Sequence, residues 1–220
     1  MGTDSRTAAA IVSRVAARMQ EQYQVRFAWG TPGAERIARD AHLVVWVDVL
    51  PDRRGTAPVD RLRALRAAVT GVPDGPEVVL GHLGDATAVA ERVTRLQAER
   101  GDRCVVAIVA AGRTHAHPDA ADDAGETADR ADAPDQAVED LLAAGAVVDA
   151  LVAVGIDHTS PEAAAACAAF TGLRRAVRHL VSAAEGAAVL DPEDVRTALA
   201  AGPDLVTLRP AAQRESGPRA

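Results

Sequence analysis

Apolar and polar residues follow one another along the chain in blocks that predict strands and helices in turn. Short apolar runs rich in Val, Leu and Ile are typical of buried strands, and they cover residues 25–29, 43–50, 77–81, 104–111 and 205–208. Apolar residues at helical spacing predict helices at residues 7–22, 34–39, 62–69, 85–96, 136–154 and 160–201, the last interrupted near Gly172, Gly186 and Pro192. Strands that alternate with helices predict an α/β fold, a three-layer α/β/α domain with a largely parallel sheet.

The run at residues 43–50 reads LVVWVDVL and is typical of a central strand that is buried on both faces. Its single charge, Asp48, lies close to the carboxyl end of the strand. Ligands of open α/β sheets bind just beyond the carboxyl ends of the strands. Asp48 is therefore the first candidate for a functional carboxylate. The alternative is an aspartate that only accepts hydrogen bonds from the loop after the strand.

Two segments have almost no large apolar side chains that a core could bury. Residues 113–135 combine alanines with seven carboxylates and predict a mobile, solvated loop. The acidic residues of this loop are Asp119, Asp122, Asp123, Glu126, Asp129, Asp132 and Asp135. Their spacing does not match a calcium-binding loop, so we interpret them as solvated. A frayed tail is expected from residue 214 onward.

Composition narrows the function classes. The 220 residues suffice for one sizeable core, so we expect a single domain over residues 1–220. A net charge of −7 and only 2% aromatic residues argue against nucleic-acid binding. No apolar run reaches the roughly 18 residues of a membrane span, no signal peptide opens the chain, and no C-x-x-C pair is present. We therefore expect a cytoplasmic protein without a membrane partner; its oligomeric state stays open, a homo-oligomer included.

Carboxylates at predicted element ends are the remaining candidates for chemistry, because the chain has no dinucleotide, P-loop or nucleophile-elbow motif. Glu139 and Asp140 begin the helix that follows the strand at 104–111, and Asp85 begins the helix after 77–81. Mg²⁺ takes oxygen ligands and needs only one or two carboxylates when substrate phosphate completes the shell. The alternative for Glu139 and Asp140 is a favourable interaction with the dipole of their own helix.

Four segments resemble a known family in order and spacing. They lie at residues 23–30, 41–50, 81–90 and 137–146 and read YQVRFAWG, AHLVVWVDVL, GHLGDATAVA and AVEDLLAAGA. Together with the helical tail they are similar to the 2-phosphosulfolactate phosphatase family, especially its actinobacterial-type members. The resemblance covers most of residues 23–210.

The resemblance implies a Mg²⁺-dependent phosphatase that acts on the phosphate ester of a small (sulfo)carboxylic acid. By position, Asp48, Glu139 and Asp140 become the acidic site residues, and Gly112 lines the pocket. Asp48 and Glu139 then hold the metal, and the third carboxylate, Asp140, orients the attacking water. Glu139 and Asp140 are interchangeable in these two roles at this point.

The chain departs from the family directly after Leu50. Family members continue with small hydroxyl residues and a longer segment, whereas this chain reads PDRRG and has only residues 51–76 before the next strand. Arg53 and Arg54 are candidate substitutes for the missing phosphate-binding parts, since guanidinium groups recognise phosphate well. The alternative is an exposed basic pair. The departure also supports a second hypothesis, a catalytically inactive paralogue that binds a small anion or a protein partner.

Overall fold

The structure, a computed structural model, describes residues 20–113 and 135–212. Its sheet consists of β1 (Val25–Trp29), β2 (Leu43–Val47), β3 (Glu77–Gly81), β4 (Val106–Ala110) and β5 (Thr207–Arg209). The strands are ordered β1-β4-β2-β3-β5; the first four are parallel, and β5 runs antiparallel to β3. The predicted, largely parallel sheet is confirmed.

Helices cover both faces of this sheet. They are α1 (Gly30–Ile37), α2 (Pro58–Ala68, followed by a 3-10 turn), α3 (Ala86–Arg100), α4 (Val138–Ala153), α5 (Pro161–Leu173), α6 (Val177–Ser182), α7 (Glu185–Ala188) and α8 (Pro192–Ala200). Within the described residues, no helix has both the length and the apolar character that crossing a bilayer requires.

Strand β2 shows how the three layers form. Val45 and Val47 belong to the larger core, which α3, α4, α5, α6 and α8 cover. Val44 and Trp46 belong to the second core, which α1 and α2 cover. All five residues of β2 are buried. Successive side chains of a strand point to opposite faces, so an uninterrupted apolar run fits only a strand that is covered on both sides.

Two element boundaries differ from the prediction in ways that bear on the site. Strand β2 ends at Val47 rather than at residue 50, so Asp48 already belongs to the loop at the carboxyl edge. Helix α1 begins at Gly30, four residues before its predicted start at Ala34. Gly30 has a φ of 59°, which turns the chain from β1 directly into the helix, and Pro32 fits the first helical turn.

The predicted helical run at 160–201 is divided into the four helices α5 to α8. Ser160 caps α5, since its Oγ accepts a hydrogen bond from the Ala163 N–H at 3.1 Å. Asp85 and Asp191 occupy the N-cap positions of α3 and α8, although neither side chain makes a capping hydrogen bond. The Asp85 carboxylate is instead engaged by a histidine, described below.

Three predicted features fall mainly on residues that the structure does not describe. They are the first helix at 7–22, the acidic loop at 113–135 and the tail from 214. Of these, residues 20–22 form a turn, and Arg113 and Asp135 form an antiparallel bridge.

Candidate functional site

The carboxyl ends of β2 and β4 lie side by side and define the candidate site. Val47 pairs with Ala110 in the parallel ladder, so the loops that follow these strands start together at one edge of the sheet. Asp48 begins the first loop, and Gly112 lies in the second. Helix α4 starts at the same edge, because its first-turn residues contact both loops.

Asp140 ties the two loops to α4. Its Oδ1 accepts a hydrogen bond from the Val49 N–H at 2.9 Å, and its Oδ2 accepts one from the Gly112 N–H at 3.0 Å. Its side chain is buried. Each carboxylate oxygen therefore fixes one loop, and each retains further acceptor capacity.

Asp48 is the most accessible of the three predicted site carboxylates, with 26% of its side chain exposed. Its Oδ1 lies 3.6 Å from Arg61 Nη2 on α2. The same nitrogen donates to the backbone carbonyls of Asp48 and Val49, both at 2.9 Å. Arg61 thus holds the backbone of the β2 exit loop and pairs only loosely with the Asp48 carboxylate.

The side chains of Glu139 and Arg113 both lie against the short helix α7. Glu139 is buried, and a Cβ built on Gly186 of α7 would overlap its Oε1. The same Cβ would lie 3.3 Å from Arg113 Nη1 and 3.3 Å from Leu50 Cδ1. Glycine at this position lets the α7 backbone approach the carboxylate and the guanidinium together.

These side chains share one cavity of about 500 Å³. Its lining includes Asp48, Arg53, Gly112, Arg113, Glu139, Asp140 and Gly186. A second cavity of about 300 Å³ lies on the α2 side of the β2 exit loop, and Asp48 and Arg53 line both cavities. The exit loop therefore separates the first cavity, called the acidic cavity below, from the second cavity, which Arg61, Thr56 and Leu65 border.

Burial and mutual repulsion raise the pKa values of these carboxylates. Burial raises the pKa of Asp48 to about 6; Arg61 opposes this rise, and the negative charges of Asp52 and then Glu139 add to it. Burial and the nearby negative charge of Asp48 also raise the pKa of Asp140 well above its ordinary value, although two backbone N–H donors act in the opposite direction. Like charges held together in this way favour a protonated carboxyl or a bound cation.

Five of the seven residues singled out from the sequence line the acidic cavity: Asp48, Arg53, Gly112, Glu139 and Asp140. Asp85 lies outside this lining. Arg54 does not line either cavity. Its Nε donates to the Val189 carbonyl at 2.8 Å, and its Nη1 lies 3.9 Å from Asp191 Oδ1. Arg54 thus joins the β2 exit loop to the segment between α7 and α8 and does not line the cavity.

Sequence reasoning missed three features of this edge. Arg113 directly follows Gly112 but was assigned to the solvated loop, and Arg61 carries no local signal because its contacts lie more than ten residues away. The third is a pair in which His82 Nδ1 lies 2.9 Å from Asp85 Oδ2 at the end of β3. The available signal was position, since Arg113 and His82 both follow the carboxyl end of a predicted strand.

No three His, Cys, Asp or Glu side chains in residues 20–113 and 135–212 are arranged to hold a metal ion as a set. The site does offer hard oxygen donors, one of them partly exposed. Such a donor set fits Mg²⁺ in its usual protein environment, with one or two carboxylates and several waters. It fits Zn²⁺ less well, because zinc in proteins is held mainly by Cys and His side chains.

Compared with known proteins, the chain matches no family model and no curated protein sequence. The likeness to the 2-phosphosulfolactate phosphatase family therefore remains a hypothesis.

Proposed function

We propose that the protein is a Mg²⁺-dependent phosphatase that hydrolyses the phosphate ester of a small carboxylic or sulfonic acid, as the 2-phosphosulfolactate phosphatase family does. The observation that carries the proposal is the shared cavity of Asp48, Glu139 and Asp140 at the carboxyl edge of the sheet. These residues are distant in sequence, and a fold has no stability reason to gather three carboxylates in one partly buried space.

Asp48 and Glu139 would hold Mg²⁺, and the metal, when bound, would neutralise charge on the phosphate. Asp140 uses one acceptor position of each oxygen for the loops, so a remaining position can orient the attacking water. Arg53 borders the same cavity and supplies a guanidinium for the substrate anion. Arg61 keeps the Asp48 backbone in place.

A second candidate function is anion binding without catalysis. It is favoured by the absence of a three-ligand metal set among the described residues and by the engagement of both Asp140 oxygens with backbone N–H groups. In this hypothesis the scaffold keeps its cavity, while the short segment after Leu50 no longer supports turnover. The ligand is then a small anion or a protein partner that presents one.

The deciding experiment measures phosphate release from a panel of phosphorylated small hydroxy acids, with Mg²⁺ and with EDTA. Release that depends on Mg²⁺ and is abolished by EDTA supports the phosphatase. No release from any substrate, together with ligand binding measured by calorimetry, supports the non-catalytic alternative. Neither release nor binding would remove both hypotheses.

Arg53 and Arg54 provide a matched pair of variants for this assay. They are adjacent in the exit loop, but only Arg53 lines the cavity. We expect Arg53→Met to raise KM by roughly ten-fold, because one charge-assisted hydrogen bond to the substrate is lost. Arg54→Met should leave KM unchanged. Equal effects of the two substitutions would mean that the loop acts only through its overall charge.

A further inference from the structure

His82 and Asp85 form a histidine–carboxylate pair at the carboxyl end of β3. His82 Nδ1 lies 2.9 Å from Asp85 Oδ2, and the two side chains are 11% and 1% exposed. Asp85 stands at the N-cap position of α3 but makes no capping hydrogen bond. Its carboxylate is therefore directed at the histidine rather than at the backbone of its own helix.

The other carboxylate oxygen of Asp85 is closed off. Asp85 Oδ1 is buried and has no hydrogen-bond partner among the described residues. A Cβ built on Gly202 would overlap this oxygen, so the backbone of the segment after α8 packs directly against it. Burying a carboxylate with a single polar partner costs stability. The arrangement therefore suits an aspartate that orients His82 better than one that stabilises the fold.

Nε2 of His82 is the ring nitrogen that remains for a bound molecule. It has no hydrogen-bond partner in the described part of the chain, and it is not sealed from solvent. A hydrogen bond between Nδ1 and a carboxylate fixes the orientation of a histidine ring. Asp85 therefore holds the ring in one orientation, from which Nε2 can exchange a proton with a ligand.

The histidine lies beside Asp48. Val47 and Gly81 pair in the parallel ladder, and Asp48 and His82 directly follow this pair. The two side chains also interact through their charges, because burial raises the pKa of Asp48 and the positive charges of Arg61 and His82 oppose that rise. His82 lines neither cavity, so it approaches Asp48 from the β3 side. A substrate whose phosphate is held at Asp48 would meet the imidazole with the part that extends toward β3.

We infer that His82 is the proton donor for the leaving alcohol of the phosphate ester, and that Asp85 is the positioning residue that orients it. The inference rests on the proposed function, since it assigns a role within phosphate-ester hydrolysis. The oxygen of the attacking water bonds to phosphorus as the bond between phosphorus and the ester oxygen breaks. The proton on His82 Nε2 passes to the ester oxygen and gives the alcohol, and one water proton is released to solvent. His82 then regains a proton from solvent.

The test compares two substrates that differ in one atom. They are the best hydroxy-acid phosphate of the panel and its analogue with sulfur in place of the bridging ester oxygen. A thiolate leaves without being protonated, so only the oxygen ester needs the proton donor. The quantity measured is the ratio of kcat/KM for the oxygen ester to kcat/KM for the sulfur analogue, with Mg²⁺ present. It is determined for the unchanged protein, His82→Gln and Asp85→Asn.

Two further substitutions serve as matched controls. His179→Gln removes a histidine that is exposed on α6. Asp191→Asn removes the carboxylate at the N-cap position of α8, which also makes no capping hydrogen bond and whose ion-pair partner is Arg54 rather than a histidine. Both controls should leave the ratio unchanged.

We expect His82→Gln to lower the ratio by about a hundred-fold. Asp85→Asn should lower it by a smaller factor, because Nδ1 keeps an acceptor while the carboxylate charge is lost. Both rates come from one preparation, so a smaller folded fraction cancels from the ratio. Equal losses on the two substrates in His82→Gln overturn the inference and leave the phosphatase standing. No release by the unchanged protein removes the proposed function and the inference with it.

A second measurement decides if the unchanged protein does not cleave the sulfur analogue. Nitrogen NMR of the full chain follows the His82 ring, whose signals are assigned by their loss in His82→Gln. Mg²⁺ and inorganic phosphate, the reaction product, are then added. The His82 Nε2 signal should shift and the His179 signals should not. A His82 Nε2 signal that does not shift overturns the inference.

Discussion

Buried charged side chains are arranged in opposite ways at the two edges of the parallel sheet. At the amino edge, charges of opposite sign are paired. Arg26 of β1 is almost fully buried and binds the Asp40 carboxylate. At the start of β3, Glu77 accepts a hydrogen bond from Arg92 Nη2 at 2.7 Å. At the carboxyl edge, carboxylates instead gather around Asp48, and the donors and acceptors there are incompletely matched.

The pKa shifts of the carboxyl groups at the two edges reflect this difference. Hydrogen bonding to Arg26 lowers the pKa of Asp40, whereas burial among like charges raises those of Asp48 and Asp140. At the carboxyl edge, Arg113 Nη1 and Asp85 Oδ1 are also buried without a partner among the described residues. The amino edge is therefore arranged for stability, whereas the carboxyl edge lacks this pairing, as expected if a ligand completes the proposed site.

The largest expected effect is on turnover at the carboxyl edge. Asp48→Asn should lower Mg²⁺-dependent kcat/KM by about a thousand-fold, or about 4 kcal/mol, because it removes a proposed metal ligand. The measurement is phosphate release with the best substrate of the panel. Asp74→Asn serves as the control, since Asp74 is 98% exposed and lies before β3 at the other edge. Full activity of the Asp48 variant would remove this residue from the mechanism.

A similar but purely structural effect is expected at the amino edge. Arg26→Met should lower the free energy of unfolding by about 3 kcal/mol. The substitution leaves the carbonyls of Tyr23, Ile37 and Glu21 without the donor they share, and it unpairs Asp40. Urea unfolding measures the change.

Arg36→Met is the control for this substitution, because Arg36 is an exposed arginine on α1 whose one hydrogen bond is to the Pro32 carbonyl. The comparison of the two edges would fail if both variants lost equal stability. Activity per folded molecule should be unchanged in Arg26→Met.

The third effect is a gain of stability that depends on pH. The folded-state pKa of Asp48 is about 6, against 3.8 as the ordinary value, so the folded protein binds an extra proton between these two pH values. The stability lost to Asp48 ionisation therefore grows as pH rises from about 4 to about 6 and is complete above that. Asp48→Asn should be more stable than the unchanged protein by at most about 3 kcal/mol at pH 7.5.

This gain should disappear at pH 4, where the aspartate is protonated in the folded state. Urea unfolding of both proteins at pH 4.0, 5.0, 6.0 and 7.5, with EDTA present, measures it. A constant difference across that range would show that a cause other than ionisation of Asp48 is responsible.

The smallest effect is expected at the second amino-edge pair. Glu77→Gln should cost about 1 kcal/mol, since the pair with Arg92 is only partly shielded from solvent. The loss should be smaller in 1 M NaCl because salt screens the ion pair. Glu35→Gln, at an exposed position on α1, is the control. A loss independent of salt would indicate that the contact acts as a neutral hydrogen bond.

Much of the fold was predictable because its signals are local. The apolar run of β2 predicted burial on both faces, and the alternation of strands with helices predicted the three layers. The start of α1 was missed because a glycine-proline segment, which usually breaks structure, here opens a helix at Gly30. Asp85 and Asp191 stand at N-cap positions without making capping hydrogen bonds, because a suitable residue type does not fix where its side chain points.

For the site, position at the ends of predicted strands and helices singled out Asp48, Glu139 and Asp140, and the family resemblance implied Gly112. The roles of the arginines depend on contacts between distant segments. Arg53 and Arg54 are equivalent in sequence, yet the cavity includes only Arg53, because Arg54 reaches the Val189 carbonyl. Arg113 was assigned to a solvated loop because acidic residues and alanines dominate the segment after it.

The amino-acid sequence by itself determined the class of fold and the edge of the sheet at which polar residues gather. Both follow from hydrophobic periodicity, which acts over a few residues. Only the tertiary structure decided which charges pair, which oxygens of Asp140 the backbone occupies, and which guanidinium nitrogen of the described residues is buried without an acceptor. Hydrogen bonds and charge interactions depend on distances of a few ångströms between segments that are far apart in the chain, and no local pattern encodes those distances.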